Sequence, residues 1–313
     1  VNKEHVVTFT PNPTLDLGGV VDNLVPNEKC YVYDQTKSPG GNAINAARIL
    51  TRLGVPTIAT GFLGGSIGQE IKNLLDEEGV QGKWISIKGH TRMSVIVSNK
   101  HDHQQTRLSF PGPKISASEK RRLFDLIEKD RHLAGLLIGG SLPAGYSSAD
   151  IAKIVRMTNR RGVRCVVDCP GKVLREVYRA KPFFIKPNLV EFQEMTGSRC
   201  ESLSEVRTEA SKLLEFVTYV CVSSVEGGAL LIGKDKAFFG KIAEGVTVKS
   251  TVGAGDSMIG AMAAQVFRGN KTVDDILRWG LAAAAATLSH PGTAAGTTRE
   301  MRRLYRNTHV VAI

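Results

Sequence analysis

Short β-branched and aliphatic runs alternate with amphipathic stretches along most of the 313 residues. Residues 6–10, 57–61, 136–139, 164–168, 183–185 and 219–222 are apolar enough to be strands buried on both faces. Between them, residues 43–53, 69–78, 118–129, 149–161, 171–179 and 203–216 place apolar side chains at helical spacing. The alternation predicts right-handed βαβ crossovers, hence an α/β fold with a largely parallel sheet covered by helices on both faces. Ligands of such sheets bind beyond the carboxyl ends of the strands, and candidate chemistry is sought there.

Two segments interrupt the rhythm. Residues 18–36 and 91–110 hold strand-like runs with no helix between them. Runs 93–98 and 106–110 flank a polar tip at 99–105 and predict a β-hairpin. An insert of this kind has one face with no obvious cover, so it predicts a lid over the site or a contact with a second copy. The chain accordingly divides into an α/β unit (residues 1–16, 37–89 and 111–313) and a small β-sheet lid (17–36 and 90–110).

Composition narrows the class. Hydrophobic residues are 42% and charged residues 23%, ordinary values for a globular chain with a core. The formal net charge of +11 is compatible with nucleic acid, a membrane surface or small acidic ligands. Its densest clusters, Lys120-Arg121-Arg122, Arg160-Arg161 and Arg302-Arg303, fall in amphipathic helical stretches and read as solvated faces. No aromatic platform or recognition helix accompanies them, so no nucleic-acid partner is expected. Five irregularly spaced cysteines without a C-x-x-C pair argue against a disulfide framework or a zinc site and suit a reducing cytoplasm. The polar start, Val1 to His5, does not read as a signal peptide, and no apolar run is long enough to cross a bilayer. His101-Asp102-His103 at the hairpin tip reads as a solvated turn rather than a metal site.

The most informative stretch is Ser250-Thr251-Val252-Gly253-Ala254-Gly255-Asp256-Ser257, followed by a small-residue helix over 258–267. Two glycines around an alanine let the backbone turn with its N–H groups pointing one way. The following helix adds its positive end, and together they suit a phosphoryl group. Asp256 stands beside this hole, where a carboxylate can take the proton of an attacking hydroxyl. The competing reading is a glycine turn with Asp256 as a helix cap. There is no Walker G-K-[ST].

Four further stretches accompany it in order: residues 10–16 (T-P-N-P-T-L-D), 39–48 (P-G-G-N-A-I-N-A-A-R), 140–145 (G-S-L-P-A-G) and 186–191 (K-P-N-x-x-E). With the 251–256 run, they resemble the ribokinase-like carbohydrate kinases, also called the phosphofructokinase B family, over nearly the whole chain. The resemblance implies a ribokinase-like core and ATP-dependent phosphorylation of a ketohexose phosphate, fructose 6-phosphate at its C1 hydroxyl. It makes Asp256 the base and the amides of Gly253, Ala254 and Gly255 the anion hole. The sugar would be held by Asp16, Gly40, Gly41, Asn45 and Ser141. Its non-transferred phosphate would bind Lys29 and Arg92, where an arginine fork suits phosphate oxygens. Arg107, on the second hairpin strand, is set aside.

On the nucleotide side, the resemblance implies Lys186, Asn188, Ser224, Gly227, Gly228, Thr251, Gly253 and Gly255 as ATP ligands. Asn188 and Glu191 would organise Mg²⁺ through its waters. The same pair also reads as a helix capping box. Potassium is implied on backbone carbonyls at Ser250 and Val252, beside the 289–296 loop. Lids of two subunits packed face to face would give a homodimer. Tagatose 6-phosphate and fructose 1-phosphate kinases share most of these motifs. An inactive nucleotide-binding regulatory protein on the same scaffold is the non-enzyme alternative.

Overall fold

The first strand stops where Pro11 and Pro13 remove backbone donors, and that break sets the layout of the whole molecule. The computed structural model describes residues 4–102, 104–269, 272–290, 292 and 294–313. In chain order the first elements are β1 (His5–Thr10), β2 (Thr14–Val21), β3 (Tyr33–Gly40), α1 (Asn42–Arg52), β4 (Thr57–Leu63) and α2 (Gly65–Glu77). Next come β5 (Ile85–Ser86), β6 (Arg92–Asn99), β7 (Gln105–Ser109), α3 (Ala117–Lys129), β8 (Leu133–Gly139), α4 (Ser148–Arg160) and β9 (Arg164–Asp168). Then follow α5 (Gly171–Val177), β10 (Phe184–Ile185), α6 (Leu189–Thr196), α7 (Leu203–Leu213), β11 (Tyr219–Val225), β12 (Gly228–Gly233) and β13 (Lys236–Gly240). Last are α8 (Ala254–Phe267), α9 (Val273–Leu288), α10 (Thr298–Asn307) and β14 (Val310–Ala312).

The large sheet runs β14-β13-β12-β11-β10-β9-β8-β1-β4-β5. Strands from β11 to β5 in that order are parallel, and β12, β13 and β14 add an antiparallel edge. Side chains alternate between its faces with period two. Val7, Leu136, Ile138, Cys165, Val167 and Ile185 join the core under α3 to α7. Val6, Leu137, Val166, Phe184 and Cys221 join the core under α1, α8, α9 and α10. This is the predicted α/β architecture with both faces covered.

The second sheet is β3-β2-β6-β7, with β2 parallel to β6 and both outer pairs antiparallel. β2 and β3 reach into stretches the sequence reading gives to the larger unit. Asp16, grouped with the α/β unit in the sequence reading, therefore belongs to the second sheet. It lies within β2, opposite Ser38 and Ser94, because the prolines hand the chain to the second sheet before it. The basic clusters lie on α3, at the end of α4 and on α10, and all but Lys120 are exposed. His101 and Asp102 are exposed in a turn; His103 lies outside the described residues. No described helix is long and apolar enough to cross a membrane.

Candidate active site

Five parallel strands deliver the chemistry at their carboxyl ends. Asn12 follows β1, Ser141 follows β8, Asp168 ends β9, Lys186 follows β10, and Ser224 lies at the end of β11. A cavity of about 530 Å³ opens there. Lys186, Asn188, Glu191, Ser224, Gly227, Gly228, Thr251, Ala254, Gly255 and Asp256 all line it. So do Asn42 and Asp168, and the apolar side chains Ile242, Met258, Leu281 and Leu288 form one wall.

Gly253 opens α8 in the left-handed region, at φ 81°, which a side chain would resist. The Ser257 amide donates to the Gly253 carbonyl at 2.9 Å. The amides of Gly253, Ala254 and Gly255 precede it and have no hydrogen-bond partner among the described residues. They form an anion nest at the positive end of a 14-residue helix. A Cβ built on Gly255 would lie 3.5 Å from Lys186 Nζ, so the ammonium stands beside this nest. Lys186 is buried and pairs with Asp168 Oδ1 at 3.2 Å. Burial is the largest influence and works against its charge, but Asp168, Cys221, Glu191 and Asp256 together outweigh it, and the amine ends with a raised pKa. The other Asp168 oxygen is buried without a partner.

Asp256 sits in the first turn of α8 and accepts a hydrogen bond from Asn45 Nδ2 at 2.8 Å. Burial and the like charge of Asp168 push its carboxyl up to about 6, against Asn45, Lys186 and Arg107. A carboxyl poised there is half-way to the task of a base at neutral pH. Asn188 and Glu191 form a reciprocal cap on α6, each side chain holding the other's amide at 2.9 Å. The capping reading and the cavity-lining position hold together: Glu191 keeps one oxygen outside the cap, and burial raises its pKa.

The sugar-side residues form a second cluster that meets the first through Asn45. Gly40 lies against Asp16, since a Cβ there would fall 2.3 Å from Asp16 Oδ2. Gly41, at φ 121°, opens α1, with Asn45 one turn on. Asp16 is buried with one unpartnered oxygen. Burial raises its carboxyl to about 6, opposed by Arg107 and Arg92. Arg92 donates to the Asn12 carbonyl at 3.3 Å, and Asn12 Nδ2 donates to Ser141 Oγ at 3.2 Å.

Lys29 stands apart. It is exposed on the connection between β2 and β3, with its ammonium 4.8 Å from the Tyr31 ring centre. Ser250 is buried and its hydroxyl accepts from the Val252 amide at 3.2 Å, while Lys249 N donates to the Leu288 carbonyl at 2.8 Å. Of the 289–296 loop read as completing a cation site, Pro291 and Thr293 lie outside the described residues.

Sequence reasoning missed Asp168, Asn42 and Asn12, and set Arg107 aside. Asp168 had a usable signal, an acid closing a buried parallel strand at the sheet's ligand-binding edge. Arg107 had a weaker one, its place on the second strand of the predicted hairpin; the pairing of β6 with β7 then brings it near both carboxylates.

Residues 12–300 match the pfkB family carbohydrate kinase description. The chain belongs to the pfkB family. This pfkB kinase is 30% identical over 284 residues to the 1-phosphofructokinase of Borreliella burgdorferi, covering 90% of this chain and 91% of the relative. It is 28% identical over 304 residues to the ATP-dependent 6-phosphofructokinase isozyme 2 of Escherichia coli, covering 96% and 98%. The crystal structure of Escherichia coli phosphofructokinase-2 in complex with substrates and products superposes with a TM-score of 0.91 at 28% identity, over 96% of this chain and 98% of that one. The pfkB assignment makes the protein a sugar-phosphate kinase on a ribokinase-like fold.

Proposed function

We propose that this kinase transfers the γ-phosphoryl group of ATP to the C1 hydroxyl of fructose 6-phosphate. The observation that carries the reading is Asp256. Its carboxylate stands beside the free amides of Gly253, Ala254 and Gly255 and is joined through Asn45 to the sugar-side cluster. Asp16, Gly40, Gly41, Asn45 and Ser141 hold the sugar, and Arg92 with Lys29 holds its 6-phosphate. Asp256 takes the C1 proton as the oxygen attacks the γ-phosphorus. The P–O bond to ADP breaks, and the three amides hold the charge on the equatorial oxygens. Thr251, Ser224, Gly227 and Gly228 line the side where the nucleotide lies, and Lys186 meets its phosphates.

The donor set suits Mg²⁺. The unpartnered Asp168 oxygen and the Glu191 oxygen outside the cap are hard ligands at the same cavity, with Asn188 beside them. Among the described residues no three His, Cys, Asp or Glu side chains form a metal cage, so waters and phosphate oxygens would complete the shell. Bound there, the ion would neutralise phosphate charge. Potassium on the carbonyls of Ser250 and Val252 belongs to the same reading, as does a cytoplasmic homodimer built on the lid.

A second reading, phosphorylation of fructose 1-phosphate, draws on the 30% identity to a 1-phosphofructokinase. A coupled assay with ATP across fructose 6-phosphate, fructose 1-phosphate and tagatose 6-phosphate separates them. The highest kcat/KM is expected for fructose 6-phosphate; a higher value for another sugar transfers the assignment to it. Asp256→Asn should bind both substrates and lose about 10³-fold or more in kcat. Near-normal turnover in that variant would remove Asp256 as the base.

A further inference from the structure

The network that reaches Asp256 does not stop at Asn45. Arg48 lies one turn further along α1 and is only 4% exposed. Its Nη1 donates to Asn45 Oδ1 at 3.4 Å. Its Nε and Nη2 each donate to Glu78 at 2.7 Å, a two-pronged pair. Glu78, at the end of α2, also accepts from Arg52 at 3.4 Å. Arg52 in turn donates to the Gly296 carbonyl at 3.0 Å.

A primary amide can turn its oxygen or its nitrogen toward a neighbour, and hydrogen bonding alone decides which. Arg48 has only donors, so it fixes the Asn45 oxygen on its own side. The Asn45 nitrogen is thereby committed to Asp256 Oδ2, which leaves Oδ1 of the base free for the sugar hydroxyl. Glu78 grips the Arg48 fork with both oxygens, which helps hold this geometry.

We infer that Arg48 and Glu78 are positioning residues for the base: the Glu78–Arg48–Asn45 chain sets the amide that orients Asp256. The inference rests on Asp256 being the base. Neither residue lines the cavity. Through Arg52 the same carboxylate is also tied to Gly296, the last residue of the 289–296 loop.

The test uses the full chain well below its unfolding temperature. Glu78→Gln keeps the shape and weakens the grip. It is expected to lower kcat about tenfold while leaving both KM values near wild type, the pattern of lost orientation. Glu78→Asp should recover part of the loss. A double-mutant cycle supplies the discriminating readout: in an Asn45→Ala background, Glu78→Gln should have little further effect on kcat, because the link is already cut. Additive losses would show a structural role and overturn the inference, as would wild-type kcat in Glu78→Gln. Asp256→Asn in the same assay separates the two readings. If it stays active, the base assignment falls; if it is inactive while the Glu78 variants behave as wild type, only the positioning chain falls.

Discussion

Asp16 and Asp256 are carboxylates that pay in folding for a place at the site. Each is raised from 3.8 to about 6, mainly by burial. A carboxyl whose folded pKa exceeds its unfolded value holds its proton more tightly in the folded chain. Each group therefore contributes stability that is full below pH 3.8 and is lost as pH rises through about 6. At neutral pH each costs about 1–3 kcal/mol relative to an unshifted acid. Asp16→Asn and Asp256→Asn should each raise the unfolding temperature at pH 8, with the gain shrinking toward pH 4.5. Thermal unfolding at both pH values checks this; an equal effect at both would show that desolvation is not the cause. Asp256 was legible in the sequence because glycines flank it and a helix follows. Its elevated pKa was not, because burial and the nearness of Asp168 come from separate strands.

At the scale of elements, one side-chain pair both caps a helix and lines the cavity. Asn188 and Glu191 close the first turn of α6, and the same turn faces the cavity. Glutamine serves a capping box as well as glutamate does. Glu191→Gln should therefore leave the unfolding temperature nearly unchanged while raising the Mg²⁺ concentration needed for half-maximal activity. Glu191→Ala should lose the cap as well, at about 1 kcal/mol. Titration of activity against Mg²⁺, beside thermal unfolding of both variants, separates the roles. An unchanged Mg²⁺ requirement in Glu191→Gln would leave only the cap. The motif announced both functions equally in the sequence; the end of β10, which aims the turn at the cavity, is what joins them.

Across the whole molecule, the second sheet and its flanking connections leave apolar side chains uncovered. Leu108 is 54% exposed, Phe110 52% and Tyr31 73%, and every residue of β7 is exposed. Uncovered apolar surface on and beside one small sheet suits a contact with a second copy. If the lids of two copies pair as proposed, Leu108→Glu combined with Phe110→Ser is expected to shift the protein from dimer to monomer in sedimentation velocity. A wild-type monomer at micromolar concentration would dispose of the lid-to-lid contact. The same sheet holds Asp16 and Arg92, so loss of the dimer should also raise KM for the sugar phosphate more than for ATP.

The periodicity of apolar residues by itself determined the α/β class, the two covered faces and the interrupting β insert, because period and run length are local properties of the chain. Glycine spacing likewise marked the nest before α8. Tertiary structure decided what depends on distant pairings. It moved Asp16 onto the second sheet, set Asp168 against Lys186 and left Lys29 exposed beside Tyr31. It also threaded Glu78, Arg48 and Asn45 to Asp256. Charges separated by tens to hundreds of residues meet only when strands and helices pack, and no local pattern encodes that meeting.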